Sequence, residues 1–208
     1  MPDIFFEYLF RDISQKLHER RNNAGAAVWT EILLLRAKNF KQTSAAIKPN
    51  NYPPASLDSV IVELNNSISL EQNIDIINSL NQITGIKFAT ATTLMALTNP
   101  KKWAILDSRL MKYIMRITYD NLNNLFENLT DEIVITDLLL NLREKLIEID
   151  PNFTFIPSRI NTLGRRNMLV EAYDMYLDLL DNLLQGDNPD IRDLRDVELI
   201  LWNNTFEV

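Results

Sequence analysis

The chain has 208 residues, a net charge of −7, 46% hydrophobic and 24% charged residues, a composition that fits a folded globular protein and excludes a fibre or a disordered tail. It contains no cysteine and a single histidine, His18, which excludes disulfides, iron–sulfur clusters and a thiol nucleophile and argues against a histidine-rich metal site or a Ser-His-Asp triad. Its four glycines form no GxxxxGK[ST] or GxGxxG string, so no phosphate-cradling loop is expected.

Apolar residues recur at helical spacing almost throughout and strand-like alternation is nearly absent, so the expected fold is all-α. The first helix is expected over 3–20, and its opening MPDIFFEYLFRD mixes Asp3, Glu7, Arg11 and Asp12 into the apolar residues. That is not the basic-then-apolar order of a secretory leader. With no window of about 18 apolar residues, the expectation is a soluble, cytoplasmic protein with no membrane partner. Further helices are predicted over 24–41, 56–67, 71–82, 88–98, 107–117, 132–149, 158–184 and 190–203. Breaks fall at Lys48–Pro54, Asn99-Pro100, Asp150-Pro151-Asn152 and Gly186–Pro189, where proline, glycine and asparagine interrupt the pattern. The clearest core-facing stripes are Ile135, Leu138, Leu139, Leu142, Leu146 and Ile149 in one helix, and Leu169, Tyr173, Tyr176, Leu177, Leu180 and Leu184 in another. No repeat period emerges, which excludes a solenoid. Short loops favour helical layers folding as one unit, with residues 50–120 as one subdomain and 1–49 plus 121–208 as the other.

The acidic total hides a local exception. Between Thr84 and Thr118 stand Lys87, Lys101, Lys102, Arg109, Lys112 and Arg116 against one acid, Asp107, a local balance of +5. Such segregation fits one cationic face on an acidic body; the plain alternative is cations pointing different ways and pairing with neighbouring acids. Within this stretch Ile83-Thr84-Gly85-Ile86-Lys87 separates two predicted helices, and the second opens with the small residues Ala89 and Ala91 in an Ala- and Thr-rich run. Gly85 allows the turn to take positive φ while Ile83 and Ile86 tuck it onto the core. A turn of this kind aims backbone N–H groups at an anion. Ile105-Leu106-Asp107-Ser108-Arg109 follows, 22 residues from Gly85 to Asp107.

These two strings together resemble the helix-hairpin-helix DNA glycosylase superfamily, whose hairpin reads approximately L-P-G-V-G-x-x-x-A and precedes an aspartate in a V/I-x-D-x-R/H string by about twenty residues. The resemblance covers about residues 74–117, with Leu194–Trp202 similar to the tail of bacterial members of unassigned role. It implies two helical subdomains with a cleft between them and duplex DNA, damaged or not, as partner. Asp107 becomes the catalytic residue, and Thr84, Gly85, Ile86, Lys87, Thr90, Lys101, Lys102 and Arg109 become the DNA contacts. Lys87 replaces the second hairpin glycine, and Ala89 stands where lyase members carry their lysine, so the implied activity is monofunctional hydrolysis with water as nucleophile. The four-cysteine loop of some members is absent.

In that chemistry a carboxylate stabilises the positive charge that builds on the sugar and orients the attacking water. Asp107 also has a plainer role as N-cap of the helix that follows, with Leu106 and Met111 as a hydrophobic staple. Trp29 and Trp103 have the surface to stack on an extruded base, though core packing is the ordinary role of tryptophan. His18 and the Arg165-Arg166 pair read as solvated surface. The acidic run Asp187–Asp193 lacks the calcium-loop pattern, and no metal or cofactor is assigned. Two further readings stand beside the enzyme: a non-catalytic DNA-binding or damage-sensing relative, and a helical protein-interaction module favoured by the net charge.

Overall fold

The computed structural model describes residues 8, 10–12, 14–15, 70–82, 87–127, 129–156, 160, 162–185 and 190–205. Among these the secondary structure is helical throughout, with no strand, as the periodicity predicts. The described residues of the first predicted helix are helical, and Phe10 is fully buried. The helices expected over 24–41 and 56–67 lie outside the described residues, as do the Thr84, Gly85 and Ile86 hairpin positions, His18 and Trp29. None of the described helices is long and apolar enough to cross a membrane.

The chain divides into two compact units, Met1–Pro100 and Lys101–Val208. The boundary falls between the hairpin helices and Asp107. In the first unit α1 (Leu70–Gln82) packs on α2 (Phe88–Thr98). Ile76, Ile77 and Leu80 of α1 are buried at helical spacing. α2 is buried on nearly every side, so its threonines need partners inside the helix. Thr92 and Thr93 donate back to the Ala89 carbonyl at 3.2 and 2.7 Å, and Thr98 donates to the Met95 carbonyl at 2.7 Å.

The second unit is built from α3 (Ser108–Ile114), α4 (Tyr119–Phe126), α5 (Glu132–Ile149), α6 (Leu163–Leu184) and α7 (Leu194–Asn204). α5 and α6 form its central pair. α7 packs on α6, while α3 touches both α5 and α7. α5 begins and ends where its stripe predicts, and Ile135, Leu139, Leu142, Leu146 and Ile149 are buried, with Leu138 at the margin. On α6 the buried face is rotated slightly from the expected one: Leu169, Tyr173, Tyr176 and Leu180 are buried with Val170, Ala172, Leu179 and Leu183, and Leu177 and Leu184 are half-exposed.

Caps fix several starts. Thr162, in extended backbone (φ −77, ψ 153) and making no side-chain cap bond, precedes α6, which begins at Leu163, beyond the expected 158. Asp193 accepts from the Asp196 amide at 3.1 Å and sets the start of α7 four residues beyond the expected one. α4 is a helix that periodicity did not predict. Thr118 and Asn121 form a reciprocal capping box, each side chain accepting from the other's backbone amide at 3.3 and 3.0 Å. Leu122 and Phe126 then bury one narrow face. Arg143 of α5 ties α3 to it by donating to the carbonyls of Ile114, the last residue of α3, at 2.8 Å, and of Ile117 just beyond it.

Candidate nucleic-acid and catalytic site

In the first unit the described hairpin residues are Lys87 and those that follow it. Lys87 is the N-cap of α2, exposed, with extended backbone (φ −108, ψ 173). Its carbonyl accepts from the amides of Thr90 and Ala91 at 2.8 and 2.9 Å. Its side chain makes no capping bond. Thr90, expected at the DNA surface, is buried on α2 with 9% of its surface exposed. It belongs to a short helix buried on nearly every side.

The second unit holds the remaining candidates on one stretch of chain. Residues 103–107 are neither helix nor strand, and Trp103, Ala104, Ile105 and Leu106 are all buried. Buried peptide groups outside regular structure need partners from elsewhere. Here they come from far along the sequence: the Tyr173 hydroxyl of α6 donates to the Ala104 carbonyl at 2.7 Å, and Glu198 Oε2 of α7 accepts from the Ile105 amide at 2.7 Å. The Trp103 ring lies parallel to that of Tyr173, centroids 6.4 Å apart and planes at 12°, so Trp103 is a core residue, as its ordinary role predicts.

This anchored stretch ends at Asp107. The residue is half-exposed and extended (φ −119, ψ 178), and its Oδ1 accepts from the amides of Arg109 at 2.9 Å and Leu110 at 3.0 Å. The predicted N-cap is therefore present, and Leu106 and Met111, the expected staple pair, are both buried. α3 stops at Ile114, short of the expected 117, where the Met115 and Arg116 amides close the last turn.

Leu110, Met111, Tyr113 and Ile114 turn inward from α3, whereas Arg109, Lys112 and Arg116 are exposed. A spacing of three residues puts Arg109 and Lys112 on one side of α3, and Arg116 lies in the turn just beyond its end. Of the other cations, Lys101 is exposed and Lys102 is half-buried, its Nζ 4.6 Å from the centre of the Trp103 ring. Burial lowers the Lys102 ammonium from its ordinary value. Arg109 lies over the Trp202 ring of α7 at 5.3 Å, a cation–π contact that steadies an otherwise mobile guanidinium. Arg165 and Arg166 are half-buried in the first turn of α6.

Sequence reasoning missed the polar residues beneath this segment. Arg195 and Glu198 of α7 are 3% and 1% exposed and form an ion pair through Nη1 and Oε1. Burial pushes the Glu198 carboxyl up to about 7; Arg195 and the Ile105 amide pull it down, and Asp107 adds to the rise. The Tyr176 hydroxyl is fully buried with no hydrogen-bond partner. Burial, then the charges of Glu198, Tyr173 and Asp107, raise it well above the ordinary phenol value against a lowering by Arg195. The available signal was positional: Glu198 stands with Leu194, Val197 and Leu201 on the apolar face of its own helix. Among the described residues no group of three or more metal-ligating acids or histidines comes together.

No family description, no curated protein and no solved structure matches the chain.

Proposed function

We propose that the protein binds duplex DNA and hydrolyses the N-glycosidic bond of a modified base, in the manner of monofunctional helix-hairpin-helix glycosylases. The observation that carries this reading is the placement of Asp107: a half-exposed carboxylate at the end of a buried, anchored segment, opening a helix whose outer side presents Arg109 and Lys112, with exposed Arg116 in the turn that follows. Cations on that side would take phosphates, a contact that positions the strand without reading its sequence. The carboxylate would face the sugar of an extruded nucleotide. Water attacks the anomeric carbon, the bond to the base nitrogen breaks, and the base departs with a proton. Asp107 contributes by stabilising the positive sugar and holding the water. Ala89 at the lyase position leaves no amine for a Schiff base there.

The use of Asp107 Oδ1 as a cap for two amides favours a second reading, in which the same face binds DNA without chemistry. One experiment separates them. Duplexes carrying oxidised, alkylated or deaminated bases are incubated with the protein and with Asp107→Asn, and free base and DNA affinity are both measured. The enzyme reading expects base release by the wild type from at least one duplex. It also expects a loss of about 10²-fold or more in Asp107→Asn with affinity held within about twofold. DNA binding with no base released from any duplex supports the binder, and no salt-sensitive DNA binding at all removes both.

A further inference from the structure

The single peptide unit joining Ala104 to Ile105, just before Asp107, is held at both of its polar atoms by side chains 69 and 93 residues away: its carbonyl by Tyr173 and its amide by Glu198. Tyr173 does this with a neutral hydroxyl. Glu198 does it with a carboxylate buried on the apolar side of α7, which needs Arg195 beside it to stay ionised. Replacing such a buried pair by well-packed apolar residues is often neutral or stabilising, so overall stability gives no reason for an ion pair at this place. Its geometry gives one. Oε1 is taken by Arg195 and Oε2 by the Ile105 amide, which orients the carboxylate from both sides and makes the backbone two residues before Asp107 depend on it.

We infer that Glu198 is a positioning residue for Asp107: by gripping the Ile105 amide, its carboxylate fixes the segment that delivers Asp107 to its place at the head of α3. This rests on the reading of Asp107 as the group that acts on the sugar. The titratable and charged groups facing Glu198 are Arg195 on its own helix, Tyr173 and Tyr176 on α6, and Asp107. A neutral carboxyl is a weaker acceptor than a carboxylate. The grip therefore loosens as Glu198 gains a proton near pH 7, where burial has moved its titration.

The test pairs an amide readout with a kinetic one. By NMR the Ile105 amide of the wild type should shift with pH around a midpoint near 7, and in Glu198→Gln that transition should vanish. In the same variant the Arg109 and Leu110 amides, which Asp107 caps, should exchange roughly tenfold or more faster, while amides of α5 stay protected. Base release by Glu198→Gln should fall about 10- to 100-fold in kcat with DNA affinity within about twofold, and should lose the acidic limb of the wild-type profile. Tyr173→Phe, which removes only the hydroxyl on Ala104, should give a smaller loss of the same kind; the wild-type titration requires no variant at all. The inference is overturned if the Ile105 amide is flat through this range, or if Glu198→Gln keeps the wild-type cap exchange, rate and pH profile. A wild type that releases no base from any duplex overturns the reading of Asp107 instead, and the amide measurements still decide whether Glu198 sets the cap.

Discussion

Asp150 and Glu198 are both buried carboxylates, 5% and 1% exposed, and their surroundings move them in opposite directions. Burial alone would raise Asp150, but it accepts from the Thr154 hydroxyl at 2.7 Å and from the amides of Phe155 at 2.6 Å and Asn152 at 3.2 Å, and these hold it below its ordinary 3.8. The same bonds organise a loop in which Phe153 and Phe155 adopt left-handed backbone, φ 54 and 43, a conformation that costs on the order of 1 kcal/mol or more for each bulky residue. A lowered carboxyl stabilises the fold above its unfolded pKa and loses that contribution as pH falls through its folded value. Asp150→Asn should therefore cost about 2–4 kcal/mol in urea unfolding at pH 7, with the gap to wild type narrowing below pH 3.8. Glu198 has the reverse sign. Between its ordinary 4.5 and about 7 the folded state keeps a proton that the unfolded state releases, so its contribution weakens as pH rises across that window.

The legibility of each helix follows from how strongly its own sequence states a face. α5 carries five buried apolar residues at regular spacing over 18 residues, and its periodicity predicts both of its ends. α4 has eight residues, three of them asparagine, and only Leu122 and Phe126 buried, too little periodicity to register. It exists because Thr118 and Asn121 satisfy each other's amides, and because the Tyr119 hydroxyl donates to the Leu129 carbonyl at 3.0 Å. Asparagine instead of glutamate or glutamine at the third helical position disguised the box. Thr118→Ala should cost about 1 kcal/mol, and Asn121→Ala a similar amount. A double-mutant cycle by urea unfolding should give clearly less than the sum, since each replacement already breaks the shared box. Additive losses would show that the two caps act separately.

At the scale of the molecule, a chain of −7 that binds DNA must do so through a local field. The structure supplies exposed Arg109 and Lys112 on one side of α3 and exposed Arg116 in the turn after it, with exposed Lys101 nearby in sequence. If this is the proposed DNA face, the affinity should fall steeply with salt. Lys112→Ser and Arg116→Ser should each weaken binding across all sequences and reduce the slope of log K against log salt by about 1. Unchanged slopes would place the DNA elsewhere.

The sequence by itself determined the helical class, the stripe of α5, the greater part of that of α6, and the cap at Asp107, because periodicity and capping are written within a few residues of one another. It also carried the aspartate string that suggests the proposed function. Only the tertiary structure decided that Thr90 is buried, that Arg109 and Lys112 of the basic stretch are exposed on α3, and that Ala104 and Ile105 are held by Tyr173 and Glu198. Those outcomes depend on which distant side chain reaches a peptide group left unpaired by local structure. Spacing along one helix does not encode that meeting; the packing of α6 and α7 around residues 103–107 creates it.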